Sequence, residues 1–135
     1  MPTALEEKDA IREVMAEYCF RLDGGNFDSM AALFTEDGVW DTAFGAGTGR
    51  GGIAALARDI RARSGHDRPR GIHLVTNIVI DLDDDSARVH SNWIVVTNSP
   101  DGPKIGSGGG YVDHMVKQGG AWRFRRRKID RFIAP

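Results

Sequence analysis

The stretch His73-Leu74-Val75-Thr76-Asn77-Ile78-Val79-Ile80-Asp81 decides the fold, because after residue 71 the hydrophobic period changes. It is rich in Val, Ile and Thr, side chains that suit a pleated, half-buried surface. Downstream the alternation continues. An acidic turn over 81–85 leads to a second strand, 87–97, and the turn 98–103 leads to a third, 104–117. Gln118-Gly119-Gly120 then turns into a fourth, 121–132. Gly106 and Gly108 to Gly110 allow a bend or bulge within the third.

Upstream of residue 71 the spacing is helical. Thr3 and Glu6 form a capping-box pattern, and Leu5, Ile11, Val14, Met15, Tyr18 and Leu22 mark one apolar stripe. This predicts a helix over 4–22, followed by Asp23 and stopped at Gly24-Gly25. Phe27, Met30, Leu33 and Phe34 predict a second, shorter helix that ends at the turn Thr35-Glu36-Asp37-Gly38. Val39-Trp40-Asp41-Thr42 reads as a short strand. Five glycines crowd positions 45–52, and Ile53, Leu56, Ala57 and Ile60 begin a third helix that closes near Ser64-Gly65. A polar loop is expected over 66–71.

Helices segregated ahead of consecutive hairpin strands mean α+β, not a parallel doubly wound sheet. The expected sheet is antiparallel and strongly curved, wrapped as a cone around three helices that cover one face only. Its apolar interior would be a pocket, and Trp40, Phe44, Val75, Trp93, Tyr111 and Met115 are candidate walls. Ordinary core packing is the competing reading for these side chains. The uncovered face carries Ile94, Val96 and Val112 by parity, so a homo-oligomer, dimer or trimer, is expected.

Composition narrows the function classes. The chain has 135 residues, 41% of them hydrophobic and 27% charged, which suits one globular domain over 1–135. A net charge of −1 gives no global steering toward nucleic acid or an anionic membrane, and neither is expected as a partner. There is no candidate membrane span and no signal-peptide pattern, and Cys19 stands alone. A cytoplasmic location is the natural expectation.

Several motifs are weak when read alone. Gly47-Thr48-Gly49-Arg50-Gly51-Gly52 matches G-x-G-x-x-G, but a meander follows instead of the βαβ unit that dinucleotide binding needs. A flexible loop over the pocket, even a lid, is the better reading. His66, His73, His90 and His114 lack metal-ligand spacing, so no metal and no cofactor are expected, and His90 and His114 should face outward. Arg123, Arg125 and Arg127 share a face by alternation on a basic last strand. They are expected to bridge to the acidic turn 81–85 or to a neighbouring subunit.

The run Tyr18-Cys19-Phe20-Arg21-Leu22-Asp23-Gly24-Gly25-Asn26-Phe27-Asp28 resembles the first-helix signature of the SnoaL-like branch of the nuclear transport factor 2-like superfamily. Leu33 to Trp40, His73 with Asn77, and Gly110-Tyr111-Val112-Asp113 followed by Gly120 to Phe124 and Arg127 agree with it. The resemblance spans about residues 5–131 and implies the cone-shaped, cystatin-like fold. It also implies a site. Three enzymes of the superfamily, scytalone dehydratase, hexachlorocyclohexane dehydrochlorinase and bile acid 7-alpha-dehydratase, pair an aspartate at the end of the first helix with a histidine on the first long strand. Asp23 and His73 fall at those positions. Tyr18 matches a catalytic tyrosine of the bile acid enzyme, and Arg131 falls near its late arginine. The second histidine of scytalone dehydratase has no clear counterpart here, and Tyr111 stands in place of its pocket asparagine.

These residues suit elimination next to a carbonyl or an activated ring. Imidazole, with an ordinary pKa of about 6.5, is the natural base near neutral pH. It works best when a carboxylate takes its other N–H, fixes the tautomer and stabilises the imidazolium. The expected catalytic set is therefore Asp23 as orienter, His73 as base and Tyr18 as donor to the oxygen. Five residues turn an ideal helix by about 500°, which leaves Tyr18 and Asp23 roughly 140° apart. Unwinding at Gly24-Gly25 would bring both to the cavity. Trp40, Asn77, Trp93, Tyr111 and Arg131 are expected to bind substrate, with Asn77 sharing the parity of His73. The expected activity is a cofactor-free, dehydratase-like lyase or isomerase acting on a small hydrophobic molecule, polycyclic ones included. The alternatives are a non-catalytic small-molecule binder and an oligomeric interaction domain of the same fold.

Overall fold

The computed structural model describes residues 1–64 and 71–135; His66 and most of the expected polar loop lie outside the described residues. Helix α1 spans Ala4–Asp23, α2 Phe27–Ala31 and α3 Gly49–Arg63. The strands are β1 Phe34–Thr42, β2 Gly45–Thr48, β3 Gly71–Asp83, β4 Ser86–Thr97, β5 Lys104–Gln118 and β6 Ala121–Ile133. The α+β expectation holds: six strands form one sheet in the order β2-β1-β6-β5-β4-β3, and three helices accompany it.

The N-terminus of α1 is closed as its sequence requires. Thr3 Oγ1 accepts from the Glu6 backbone N–H, and the Glu6 carboxylate accepts in turn from the Thr3 N–H. The helix then buries Ile11, Met15 and Tyr18 against the inner face of the sheet, where Val89, Tyr111, Met115 and Phe124 wait. Lys117 Nζ holds Glu7 at 2.9 Å and ties α1 to β5.

Four local expectations are corrected. The second helix ends at Ala31, so Leu33 and Phe34 leave it, and β1 runs straight through the expected turn at 35–38. The reason is a strand partner distant in sequence: Phe124 N–H donates to Leu33 O at 2.9 Å, and β1 pairs with β6. That pair is parallel, so the sheet is not wholly antiparallel. The glycine run is not an open loop or lid. Its first half is β2, a hairpin partner of β1, and its second half begins α3. A Cβ on Gly47 would lie 2.9 Å from Gly52 O and 3.0 Å from Ile53 Cα, so a side chain there would separate β2 from α3.

Two β-bulges decide which side chains face the helices. On β3, Asn77 and Ile78 together oppose Ser91, and Asn77 adopts φ 56°. The parity set by His73 and Val75 is thereby reversed, and Ile78, Ile80 and Leu82 turn inward instead. On β6, Arg125 is the extra residue between the pairs Met115↔Phe124 and His114↔Arg126. Trp122 and Phe124 point inward before it, and Arg127 and Ile129 after it. The expectation that Arg123, Arg125 and Arg127 share a face is corrected accordingly. Their contacts differ too: Arg123 donates to Ala32 O at 2.6 Å, Arg126 pairs with Asp41 at 2.7 Å, and Arg127 is buried beside Asp113.

Candidate active site

Between the helices and the inner face of the sheet lies a cavity of about 440 Å³. That is within the range of pockets that enclose small organic ligands. Helix α1 contributes Tyr18, Leu22 and Asp23 to its wall, and α3 contributes Ala57, Ile60 and Arg61. Trp40 reaches it from β1, His73 from β3, Trp93 from β4, Tyr111 from β5 and Arg131 from β6.

Asp23 and His73 meet across the seam where α1 packs on β3. His73 Nδ1 lies 2.6 Å from Asp23 Oδ1, and the His73 backbone N–H donates to Asp23 Oδ2 at 2.8 Å. Both carboxylate oxygens thus serve one residue. An ionised carboxylate only accepts, so Nδ1 carries the hydrogen of the neutral ring and Nε2 holds the lone pair. The side chains of His73 and Asp23 are 24% and 16% exposed, so the pair is shielded yet reachable. Helix α1 stays helical through Asp23 and stops at Gly24-Gly25, where Gly25 takes φ 76°. The break comes after Asp23, so the expectation that unwinding there brings Tyr18 and Asp23 together is corrected. Tyr18 and Asp23 both reach the cavity because α1 itself forms part of its wall.

Tyr18 is fully buried, and its hydroxyl oxygen accepts from Trp40 Nε1 at 2.9 Å. Burial pushes its phenol well above the ordinary range, while the nearby Arg127 pulls it back. Trp93 is held by its indole N–H, which is shared between Gly110 O and Asp130 O at 3.2 Å each. Its ring lies 6.0 Å from that of Tyr111 in a stacked arrangement and 6.1 Å from that of His73. The Trp93 ring therefore lies beside the imidazole, with Tyr111 beyond it, along the sheet side of the cavity. Arg131 lines the same cavity with its guanidinium 5.8 Å from the Phe44 ring.

Asn77 is the exception among the expected site residues. The bulge turns it to the outer face, where its amide donates to Asn92 Oδ1 at 2.9 Å. Val75 and Met115 pack in or against the core instead of lining the cavity, whereas Phe44 does line it. Cys19 is buried, and burial pushes its thiol up to about 11.

Two arginines were not among the expected site residues. Arg61 lines the cavity, donates to Leu22 O at 3.0 Å and lies 5.2 Å from the Phe27 ring. Its charge suits the C-terminal end of α1. Arg127 is fully buried under Tyr18 and Tyr111, with Nε 3.0 Å from Asp113 Oδ1. The placement of Asp113 in the resemblance segment was a signal, but the bulge that aims Arg127 at it is not visible in the sequence.

The SnoaL-like domain model matches residues 3–128. The chain belongs to the SnoaL-like domain family. No functionally curated protein matches it. Among solved structures, this SnoaL-like chain is similar to Rv3472, a Mycobacterium tuberculosis protein of unknown function. The two share 31% identity over 93% of this chain and 72% of the other, with a TM-score of 0.82. It is also similar to a Novosphingobium aromaticivorans protein named as a candidate scytalone dehydratase, at 28% identity, 96% and 86% coverage and a TM-score of 0.79. A Nostoc punctiforme protein of unknown function with a cystatin-like fold, at 24% identity, 96% and 93% coverage and a TM-score of 0.81, attests the fold. Among the described residues, no helix is long and apolar enough to cross a membrane.

Proposed function

We propose that this SnoaL-like domain, taken over 1–135, is a cofactor-free lyase or isomerase of the dehydratase type. It would act on a small hydrophobic, ring-bearing carbonyl compound. Asp23 holds the His73 tautomer, His73 Nε2 removes a proton next to the carbonyl, and Tyr18 donates to the oxygen that gathers negative charge. The imidazolium then returns the proton to the β-hydroxyl, which leaves as water while the enolate reforms the carbonyl. The observation that carries this reading is the 2.6 Å contact between His73 and Asp23 in the wall of an aromatic-lined cavity. A carboxylate so placed stabilises the imidazolium as it forms, and proton transfer by a positioned base contributes about 10²- to 10⁴-fold. Trp40, Trp93 and Tyr111 offer flat apolar surface, and Arg131 offers a cation to an electronegative substituent.

The test uses bicyclic and tricyclic β-hydroxyketones, such as 3-hydroxytetralone, whose dehydration yields fluorescent 1-naphthol. Wild-type protein is expected to accelerate elimination, and to exchange the α-proton in deuterium oxide. His73→Gln is expected to abolish both. Neither reaction with any member of the series, or undiminished exchange in His73→Gln, would overturn the assignment.

A homo-oligomer is proposed as the working form. Ile72, Leu74 and Val112 are exposed on the outer face of the sheet, opposite the helices, and exposed apolar side chains on that face favour a second protein surface. A reducing cytoplasm suits the lone thiol of Cys19.

A further inference from the structure

Arg127 stands apart from the chemistry described so far, yet its surroundings are unusual for a structural arginine. It is fully buried. Its guanidinium carbon lies 3.5 Å from the Tyr111 ring centroid, 4.2 Å from that of Tyr18 and 4.6 Å from that of Phe124. Its counter-charge is Asp113, also buried, at 3.0 Å from Nε. Taking two charges into a core is expensive, and apolar side chains of similar volume often serve stability as well or better. Packing alone gives no reason for a cation at this place.

The two tyrosines give one. They are the only tyrosines in the chain, and both line the cavity. The Tyr18 oxygen accepts from Trp40 Nε1, which leaves the Tyr18 hydroxyl hydrogen for another acceptor. Tyr111 is fixed by stacking on Trp93 at 6.0 Å and by an edge contact with Tyr18 at 6.0 Å. One guanidinium thus lies against the rings of both cavity phenols. A cation within about 6 Å of an aromatic face is held by the ring quadrupole, and its field favours negative charge developing on the ring oxygen.

We propose that Arg127 is a positioning residue that makes Tyr18 and Tyr111 stronger hydrogen-bond donors toward an anionic oxygen, a phenolate or enolate, bound in the cavity. This rests on the reading of Tyr18 as the donor in the proposed elimination, and it extends that role to Tyr111. Asp113 holds the guanidinium in place. Its opposing charge acts on Tyr18 more weakly than that of Arg127. The ligand class that follows is a flat aromatic or enolisable molecule whose ring oxygen is ionised or becomes so during reaction.

The experiment needs no natural substrate. p-Nitrophenol reports its own ionisation by absorbance, so binding is measured across its titration range to obtain separate affinities for the neutral and ionised forms. Tyrosine labelled with ¹³C at Cζ gives two signals, one per cavity hydroxyl. The wild type is expected to prefer the ionised probe and to shift both signals. The double variant Arg127→Met with Asp113→Asn removes the ion pair without leaving a buried charge. It is expected to keep affinity for the neutral probe while its preference for the ionised one falls about tenfold. Arg127→Lys is expected to retain part of the preference, and it serves if the double variant does not fold. A folded double variant with wild-type preference, an Arg127→Lys variant unchanged in preference and tyrosine signals, or a wild type that neither binds nor prefers the ionised probe would overturn the proposal. Tyr18→Phe separates the two readings. If it lowers the preference while the ion-pair variant does not, the role of Arg127 fails and the donor role of Tyr18 stands. If it leaves the preference untouched, the donor role itself fails.

Discussion

His73 Nδ1–H and the His73 backbone N–H both end on the carboxylate of Asp23, at 2.6 and 2.8 Å. Asp23→Asn therefore changes more than charge. An amide offers one oxygen and one NH₂ group, so one of the two contacts becomes donor against donor unless the ring changes tautomer. The variant is expected to lose about 10²- to 10⁴-fold in kcat on a confirmed substrate, with ring-nitrogen chemical shifts reporting the altered tautomer. Tyr18 and Trp40 form a second coupled pair, linked by a 2.9 Å hydrogen bond inside the core. Tyr18→Phe leaves the indole N–H without its acceptor and is expected to cost about 1–3 kcal/mol in urea unfolding. Adding Trp40→Phe should cost less than it does in the wild-type background, because the orphaned donor is then gone. At this scale much of the site was legible. Asp23, His73 and Tyr18 carry a resemblance at matching positions, and the geometry brings all three to one cavity wall. Strict alternation misplaces Asn77 and Arg127, because each strand carries one more residue there than its neighbour.

The bulges belong to the scale of elements. Asn77 sits at φ 56°, a left-handed conformation that asparagine tolerates and β-branched residues resist. Asn77→Gly is expected to be neutral or slightly stabilising. Asn77→Val is expected to cost about 1–3 kcal/mol, read as a lowered urea midpoint. If Val were tolerated as well as Gly, the left-handed conformation at Asn77 would not be what constrains this position. Helices α1 and α3 and the four long strands were legible from local period and turn chemistry, which are properties of neighbouring residues. The pairing of β1 with β6 was not, because Phe34 and Phe124 lie 90 positions apart in the chain. Nor was β2, whose glycines suit a loop until the close approach of Gly47 to Gly52 and Ile53 is seen.

Across the whole molecule, the buried Asp113–Arg127 pair links sheet stability to pH. Burial pushes the Asp113 carboxyl up to about 6 from its usual 3.8, against the pull of Arg127. The folded state then binds the proton more readily than the unfolded chain does. The contribution of Asp113 to stability is therefore greatest below the unfolded pKa and is lost as pH rises through about 6. Asp113→Asn, which stays neutral throughout, should gain stability relative to wild type between about pH 4 and 6 and run parallel to it above. Urea unfolding at stepped pH checks this, and a constant difference between the two proteins would remove Asp113 as the titrating group. On the outer face, Leu74→Asp with Val112→Asp places charge at two exposed apolar positions. Light scattering is expected to show an oligomer for wild type and a smaller species for the variant, with the α+β fold retained by circular dichroism.

The amino-acid sequence by itself determined helices α1 and α3, the four long strands, the α+β class and the candidates Tyr18, Asp23 and His73. Each of these follows from side-chain period, capping and turn residues, or a signature read along the chain. Only the tertiary structure decided the parallel partner of β1, the outward turn of Asn77 and the burial of Arg127 against two phenol rings. The physical reason is that a bulge is defined by the strand beside it. One extra residue opposite a neighbour reverses every later side chain, and that neighbour is chosen by the folded sheet and not by the local sequence.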